Sequence, residues 1–218
     1  MYHYRHPHPA VTTTVVIFTI VARELKVLLV RRPRPPFEGE WALPGGFLAI
    51  DEDLARSAER ALARETGVHG VWLEQLCTFG DPARDPRERV LAVAYYALVP
   101  LHRLQARQDD PRVSWYPAAR CPALAFDHNS ILTAAVDRLA AKLAYSTIAF
   151  QFMPDEFTLS ELQQVYEIIR QAPVDKRNFR KQILAQDCLE ASGMRRNGSH
   201  RPATLYRAKR PGCVELLR

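Results

Sequence analysis

A glycine-containing loop followed by one helix, residues 45–68, constrains the fold more than any other stretch of the chain. Four apolar residues in it recur with the 3.6-residue period that predicts an amphipathic helix. They are Leu54, Ala58, Ala61 and Leu62. Gly67 follows, and glycine ends a helix readily because it adopts the left-handed conformation without a Cβ clash. The sequence therefore predicts a loop, one helix and a sharp stop at Gly67.

The same stretch resembles the Nudix box, the signature motif of Nudix hydrolases. The residues that match it in register are Gly46, Glu52, Arg60, Leu62, Glu65, Gly67 and Val68. Ala61 and Arg64 stand where the family has glutamates. The resemblance implies an α/β protein with the Nudix α/β/α sandwich and its mixed sheet. The alternative is an unrelated amphipathic helix.

The two departures from the motif, Ala61 and Arg64, change what the helix can bind. In Nudix hydrolases, glutamates of this helix hold Mg²⁺, a hard cation that prefers carboxylate and water oxygens, against a bound diphosphate. Ala61 removes an acid, and Arg64 adds a fixed positive charge on the same helical face. Only Glu52 and Glu65 remain as residual acids. We therefore expect no metal site, no catalytic residue and no required cofactor, and a domain that is not an enzyme.

The formal net charge of +6 is concentrated near the C-terminus. Residues 176–210 contain ten Lys and Arg residues against only Asp187 and Glu190. Such a block indicates a polyanionic partner, usually a nucleic acid. The alternative is a merely solvated basic surface.

Two further features bear on the compartment. The four cysteines are far apart without Cys-x-x-Cys spacing, which favours a reducing cytoplasm over a disulfide framework or a zinc site. The apolar run Val11–Ala22 is too short to span a bilayer and is rich in Thr, Val and Ile. It predicts a buried strand, and we expect no membrane association.

Two loops of the first half carry candidate ligand contacts. Residues 31–41 form a proline-rich loop, and residues 80–87 form another that resembles a loop of Nudix proteins related to ADP-ribose pyrophosphatases. Arginines on a proline-stiffened loop can bind phosphates bidentately. Together with the box glycines, the predicted ligand-binding residues are Arg31, Phe37, Trp41, Gly45, Gly46, Arg84, Asp85 and Arg87. Two alternatives remain open: the aromatic residues only pack over the box, and Asp85 and Arg87 only pair with each other.

The last third of the chain shows a helix, a tight turn, a basic helix and a basic hairpin. A capping box at Thr158 and Glu161 opens the first helix, and Asp175 caps the second. We expect a strand near Leu189–Ala191, a basic turn over residues 193–202 and a strand over Ala203–Ala208. This order is typical of a winged helix-turn-helix. The predicted DNA contacts are Lys176, Arg177, Asn178, Arg180, Lys181, Arg195, Arg196 and Arg201. The alternative is a helical protein-interaction module.

The two halves together resemble the bacterial Nudix-related transcriptional regulators of NAD metabolism. The stretches 175–181 and 201–207 are similar to that family's DNA-binding domain. The resemblance implies a Nudix-like sensing domain over residues 1–147 and a winged helix-turn-helix domain over 148–218. It further implies ADP-ribose or a related NAD-derived nucleotide as effector, a homodimer, double-stranded DNA with a palindromic operator, and repression of NAD biosynthesis or salvage genes.

Two other functions compete with this interpretation. One is an active Mg²⁺-dependent Nudix ADP-ribose pyrophosphatase with an accessory DNA-binding domain, which needs a further acid beside Glu52 and Glu65. The other is an RNA-binding protein. The basic segment lacks exposed aromatic residues interleaved with its cations, on which unpaired bases would stack, so duplex DNA is favoured.

Overall fold

A mixed β-sheet forms the centre of the first half of the chain. The computed structural model of the protein describes residues 5–104, 110–196 and 202–217. The strands of this sheet are β1 (Ala10–Val21), β2 (Glu24–Arg31), β3 (Trp41–Ala42), β4 (Gly45–Phe47), β5 (Trp72–Phe79), β6 (Val90–Leu98) and β7 (Val113–Pro117). The main path runs β3-β2-β1-β6-β5, while β4 pairs with β1 and β7 with β2. Only the β1–β6 pair is parallel among these described strands.

The long strand β1 is the predicted buried strand. Its residues 13–19 are all buried, because both faces of the sheet are covered. β1 and β2 are joined by Ala22 and Arg23, both at positive φ. No helix in the described ranges is long and apolar enough to cross a membrane.

One face of the sheet is covered by helix α1 (Leu54–Thr66), the predicted box helix. The Asp53 carboxylate accepts from the backbone N–H groups of Ala55 and Arg56 and caps its first turn. Gly67 ends it at φ 70°, in the left-handed conformation that was predicted for this glycine. The apolar stripe packs on Val15, Ile17 and Leu28 of the sheet.

The other face is covered by helix α2 (His128–Lys142). Its buried side chains pack on Val16, Phe18, Val27 and Leu29, which alternate along β1 and β2 with the residues facing α1. Helices on both faces of a mixed sheet confirm the predicted α/β/α sandwich. The hydrophobic core between α2 and the sheet continues beyond α2 through a 3₁₀ segment, Ile148–Phe152, into the C-terminal region.

The C-terminal region is a small helical unit with a two-stranded wing. It contains α3 (Leu159–Arg170), α4 (Lys176–Ala185), β8 (Leu189–Arg196) and β9 (Ala203–Ala208). The capping box is present, since the Thr158 hydroxyl accepts from the Glu161 N–H while the Glu161 carboxylate accepts from the Thr158 N–H. Tyr166 packs edge-on against Phe179 at 5.1 Å between ring centroids, which fixes α4 on α3. The predicted winged helix-turn-helix is confirmed.

One predicted boundary was wrong in this wing. Residues 193–196 were assigned to a turn, but they belong to β8, which is paired with β9 as far as Arg196 with Ala203. The ladder shifts register between Ala191 and Arg195. The extra residues form an irregularity with Gly193 at φ 78°, so the strand absorbs the glycine and does not end at it.

The last residues return to the junction between the two halves. The Thr147 N–H donates to the Glu215 carbonyl at 2.9 Å, and the Leu217 N–H donates to the Tyr145 carbonyl at 2.7 Å. The Gln151 side-chain amide donates to the Cys213 carbonyl at 3.0 Å. This tail therefore ties the junction after α2 in place.

Candidate ligand cleft and nucleic-acid interface

An open cleft of about 590 Å³ lies at the end of the sheet where β4, the last turn of α1 and the loop after β5 meet. Its size is in the range of small-molecule sites. Its wall is unusually rich in arginine. The arginines that line the described part of the cleft are Arg31, Arg32, Arg34, Arg64, Arg84, Arg87 and Arg112. The acidic residues there are Glu65, Asp85 and Asp110, so positive charge dominates.

Most of the predicted ligand-binding residues come together in this cleft. Those that line it are Arg31, Gly45, Gly46, Arg84, Asp85 and Arg87. Trp41 instead supports the wall, with its ring 4.8 Å from the Arg31 guanidinium and packed edge-on against Tyr116. Phe37 packs on Phe126 at 4.8 Å between centroids. These ring contacts are with residues outside the box, and the role of both aromatic residues in ligand binding stays a prediction.

Several lining residues were not singled out from the sequence. The Arg32 guanidinium lies 4.6 Å from the centre of the Phe126 ring, and the Arg87 guanidinium lies 5.2 Å from the Phe47 ring. Arg112 and His128 also line the cleft. Only the three-dimensional fold brings these positions next to the box. The one local signal was Arg32, which directly follows Arg31 at the strand end.

Two bidentate ion pairs organise the arginine loop. Arg84 donates to both carboxylate oxygens of Asp127 at 2.9 and 2.7 Å, and only 4% of its side chain is exposed. Arg87 donates to both oxygens of Asp85 at 3.0 and 2.7 Å. The hydrogen bond from Arg87 holds the pKa of Asp85 below its ordinary value. The pairing of Asp85 with Arg87, left open above, is present, and both arginines still line the cleft.

The cleft has a positive local field. Burial lowers the pKa of Arg32 from its ordinary value, and the nearby Arg87 lowers it further. Neighbouring cations disfavour one another, and a bound anion relieves that cost. The arrangement is therefore suited to a ligand with phosphate groups.

Gly45 is required by a close backbone approach. A Cβ at this position would lie 2.3 Å from the Thr13 carbonyl oxygen on β1, whereas a Cβ at Gly46 would meet nothing within 4 Å. We expect Gly45→Ala to lower the free energy of unfolding by about 1–3 kcal/mol, as overpacking does. Gly46→Ala is the matched control and should unfold close to wild type in urea. Equal unfolding midpoints for the two variants would contradict this account of the loop.

His128 joins the cleft wall to α2. Its Nδ1 accepts a hydrogen bond from the Leu43 N–H at 3.0 Å, in the segment just before Gly45. An Nδ1 that accepts a hydrogen bond carries no proton, so the ring is neutral here. Its pKa is lowered from 6.5 to about 4, mainly by burial and in smaller part by Arg84 and Arg32, against the opposite effect of Asp127. The native state thus keeps this imidazole neutral in mildly acidic solution.

This burial predicts an acid-dependent loss of stability. The unfolded chain binds a proton at His128 near pH 6.5 and the native state only near pH 4, so stability falls as the pH drops through this window. The full effect corresponds to about 3 kcal/mol. His128→Asn keeps an acceptor near Nδ1 but cannot titrate. We expect the stability advantage of wild type over the variant to shrink by that amount between pH 7 and 4, as measured by urea unfolding; a constant difference would refute this.

A second surface is formed by α4 and the wing. Phe179 and Ile183 are the buried side chains of α4, and its basic residues lie on the exposed side. The exposed predicted contacts on α4 are Lys176, Arg177, Asn178, Arg180 and Lys181. Within the described part of the chain, none of these four cations forms an ion pair. This differs from the cleft, where carboxylates hold several arginines.

The wing carries the other predicted DNA contacts. Arg195 and Arg196 are exposed at the end of β8. Arg196 forms an ion pair with Glu161 in the first turn of α3, which fixes the wing against that helix. Arg201 lies outside the described residues.

Comparison with known proteins identifies the family. The NUDIX domain model matches residues 11–135, and the model of the NrtR DNA-binding winged helix domain matches residues 149–208. A relative from Acinetobacter baylyi named "ADPR responsive transcriptional repressor NtrR" is 35% identical over 207 residues, covering 93% of this chain and 83% of the relative. The chain belongs to the NrtR family of Nudix-related regulators.

Two further relatives match different extents of the chain. The crystal structure of Shewanella oneidensis NrtR complexed with a 27mer DNA has a TM-score of 0.84 and 38% identity, and the match covers 91% of this chain and 93% of that one. An ADP-ribose pyrophosphatase of Methanocaldococcus jannaschii is 33% identical over 125 residues, which are 57% of this chain and 72% of that enzyme. The NrtR-type match spans both halves of the molecule, and the enzyme match spans roughly its first half.

The box residues of this NrtR-family chain do not fit the magnesium ion that Nudix hydrolases hold. Glu52 accepts two hydrogen bonds from Arg60, at 2.7 Å each, and the bond from Arg60 lowers its pKa to about 2. Glu65 accepts from the Arg64 Nε at 2.5 Å. Ala61 is 3% exposed and packs in the core under α1. Both remaining acids are thus paired with arginine, and the third position has no oxygen to offer.

Proposed function

We propose that the protein is a transcriptional repressor of NAD biosynthesis or salvage genes that responds to ADP-ribose. The observation that carries the proposal is the combination, in one NrtR-family chain, of an arginine-lined cleft and an exposed basic helix whose cations form no ion pair with the residues that the structure describes. The name of the Acinetobacter baylyi relative and the DNA complex of the Shewanella oneidensis structure support both parts. ADP-ribose acts as effector and not as a required cofactor.

The cleft matches the chemistry of ADP-ribose. A diphosphate needs several cationic N–H donors, and guanidinium groups provide them in bidentate geometry. Arg31 and Arg112 approach from the sheet side and Arg84 and Arg87 from the loop after β5. Phe47 lines the cleft and is 45% exposed, so its ring offers an aromatic face for a base. We assign ligand binding to these residues and to Gly45 and Asp85, with Phe37 and Trp41 supporting the wall.

We propose that α4, the second helix of the winged unit, recognises the DNA. In helix-turn-helix proteins this helix enters the major groove, where side chains reach base edges and phosphates. Arg177, Arg180 and Lys181 share one exposed face at i, i+3 and i+4. Arg195, Arg196 and Arg201 of the wing are proposed to contact the DNA backbone. A homodimer on a palindromic operator would present two such helices to successive major grooves.

We place the boundary between the sensing and DNA-binding domains at residues 147 and 148. The 3₁₀ segment that begins at Ile148 supports this division. The tail follows the wing in the chain and is counted with the DNA-binding unit. Its hydrogen bonds reach both sides of the boundary, to Tyr145 and Thr147 on one side and to Gln151 on the other.

Helix α2 is the proposed link between the two domains. It begins at the cleft, where Asp127 holds Arg84, and its far end shares one core with α3. A diphosphate that recruits Arg84 competes with Asp127, so the free and bound states differ at the first turn of α2. Such a ligand releases DNA only if it binds the DNA-incompetent arrangement more tightly than the competent one.

The proposal is tested first at the DNA. Arg180→Gln in full-length protein should weaken binding to the operator about 5- to 150-fold and lower the slope of log affinity against log salt by about one. Asn178→Gln removes no charge and should leave that slope unchanged. Fluorescence anisotropy with the protein's own upstream region measures both. An unaltered salt slope for Arg180→Gln would show that α4 is not part of the DNA interface.

A second candidate function is a residual Nudix hydrolase. The retained Glu52 and Glu65 and the match to an ADP-ribose pyrophosphatase favour it. Against it, both acids are bound to arginines and positions 61 and 64 carry no carboxylate. Mg²⁺-dependent release of AMP from ADP-ribose, lost in Glu65→Gln, would support hydrolysis. We expect no turnover above that of buffer.

A further inference from the structure

The box residues do not fit a metal ion, and Arg64 is the residue that fits such a site least, because it is a cation. It lies in the last turn of α1 and lines the cleft together with Glu65. Its Nε donates to the Glu65 carboxylate at 2.5 Å, and its Nη2 lies 3.4 Å from the Gly45 carbonyl oxygen. About half of its side chain is exposed, against 14% for Glu65. The guanidinium is therefore held between helix and glycine loop, and it remains accessible from the cleft.

The net charge at this helical face differs from that of a Nudix metal site. Three carboxylates with one Mg²⁺ leave a net negative charge beside a diphosphate. Ala61, Arg64 and Glu65 are together neutral without any ion. Glu65 is neutralised by Arg64, so the retained acid positions the arginine and no longer repels an anion.

Other arginines of the cleft are available for direct phosphate binding beside Arg64. Arg31 and Arg112 line the same cleft, and the side of the loop at Gly46 is open, with nothing within 4 Å of a Cβ built there. A phosphate group that enters here would meet guanidinium N–H donors where Nudix enzymes place a metal ion. Among these donors, the Arg64 guanidinium is already held by Glu65 and the Gly45 carbonyl before the ligand arrives, which lowers the cost of binding.

We propose that Arg64 takes the place of the magnesium ion and binds the diphosphate of the effector directly, so that ADP-ribose binds without a divalent cation. The inference rests on the proposed function, because it assumes that this cleft takes ADP-ribose. It assigns a binding role to a residue that departs from the Nudix motif.

The test is isothermal titration of full-length protein with ADP-ribose, in EDTA and in millimolar Mg²⁺. Wild type should bind with the same Kd in both buffers, within about twofold. Arg64→Gln should weaken binding about 10- to 100-fold in EDTA, the range of a charge-assisted hydrogen bond. Arg64→Lys should lose less. Arg64→Glu should bind weakly in EDTA and recover in Mg²⁺. Arg56→Gln, which removes an exposed arginine of α1 outside the cleft, is the matched control and should bind as wild type.

The possible failures are distinguishable. Wild-type binding that disappears in EDTA, or an Arg64→Gln variant with unchanged Kd and a wild-type melting temperature, would overturn the role of Arg64 and leave ADP-ribose as the effector. No binding of ADP-ribose by wild type in either buffer would overturn the proposed function and this inference with it.

Discussion

Replacing Arg177, Arg180 and Lys181 together by glutamine should abolish specific DNA binding without unfolding the protein. All three side chains are exposed on α4, and none is in an ion pair among the described residues. Their replacement should therefore leave the fold intact, whereas each contributes a phosphate or base contact in the proposed complex. At about 1–3 kcal/mol per contact, we expect at least about a 100-fold loss of operator affinity. The salt slope should fall by about three.

The matched control for this variant removes the same charge from the other half of the chain. Arg5, Arg56 and Arg89 are exposed and do not line the cleft. Their replacement by glutamine should change operator affinity by no more than a few fold, through long-range electrostatics alone. Equal losses for the two triple variants would mean that net charge, and not the helix, determines binding. Circular dichroism confirms that both variants are folded.

Arg84→Met should produce the largest loss of stability among single substitutions in the cleft. The Arg84 guanidinium donates to both carboxylate oxygens of Asp127. The Arg84 side chain is 4% exposed and that of Asp127 is 21% exposed. Removing the arginine leaves a poorly solvated carboxylate without its partner, which costs about 3 kcal/mol or more. ADP-ribose affinity should fall as well, because this guanidinium lines the cleft. Urea unfolding and calorimetric titration measure the two effects separately.

An exposed pair of the same chemistry is the control. Arg112 donates to both oxygens of Asp110, but its side chain is 68% exposed. Since exposed pairs contribute at most about 1 kcal/mol, Arg112→Met should change stability little. A combined Arg84→Met and Asp127→Asn variant should recover part of the lost stability. If Arg84→Met unfolds at the same urea concentration as Arg112→Met, the pair does not tie the loop to α2.

Local sequence signals sufficed for the helices and for the family. The 3.6-residue period and Gly67 predicted α1, and the capping box predicted where α3 begins. The Nudix resemblance predicted the α/β/α sandwich, and the order of basic helix and hairpin predicted the winged unit. These features depend on neighbours along the chain, so the sequence carries them directly.

The site could be predicted only in part, because its remaining features depend on contacts between distant residues. Arg84 was predicted in the cleft, but its partner Asp127 is 43 residues away, and the bond from Leu43 to His128 spans 85 residues. Phe126 forms part of the wall at a positive φ of 56°, which no pattern predicts. Gly193 was predicted to begin a turn because glycine usually marks one. Instead, β8 continues as far as Arg196, and Gly193 lies within it at the register shift between Ala191 and Arg195.

The most direct test of the central claim measures binding of the full-length protein to its own upstream region, with and without ADP-ribose, at two salt concentrations. The account predicts specific binding that weakens steeply with salt and is released by ADP-ribose. The release should be retained in EDTA. Specific binding that ADP-ribose does not change would contradict the assignment of the effector, and no specific binding to DNA at either salt concentration would contradict the repressor itself.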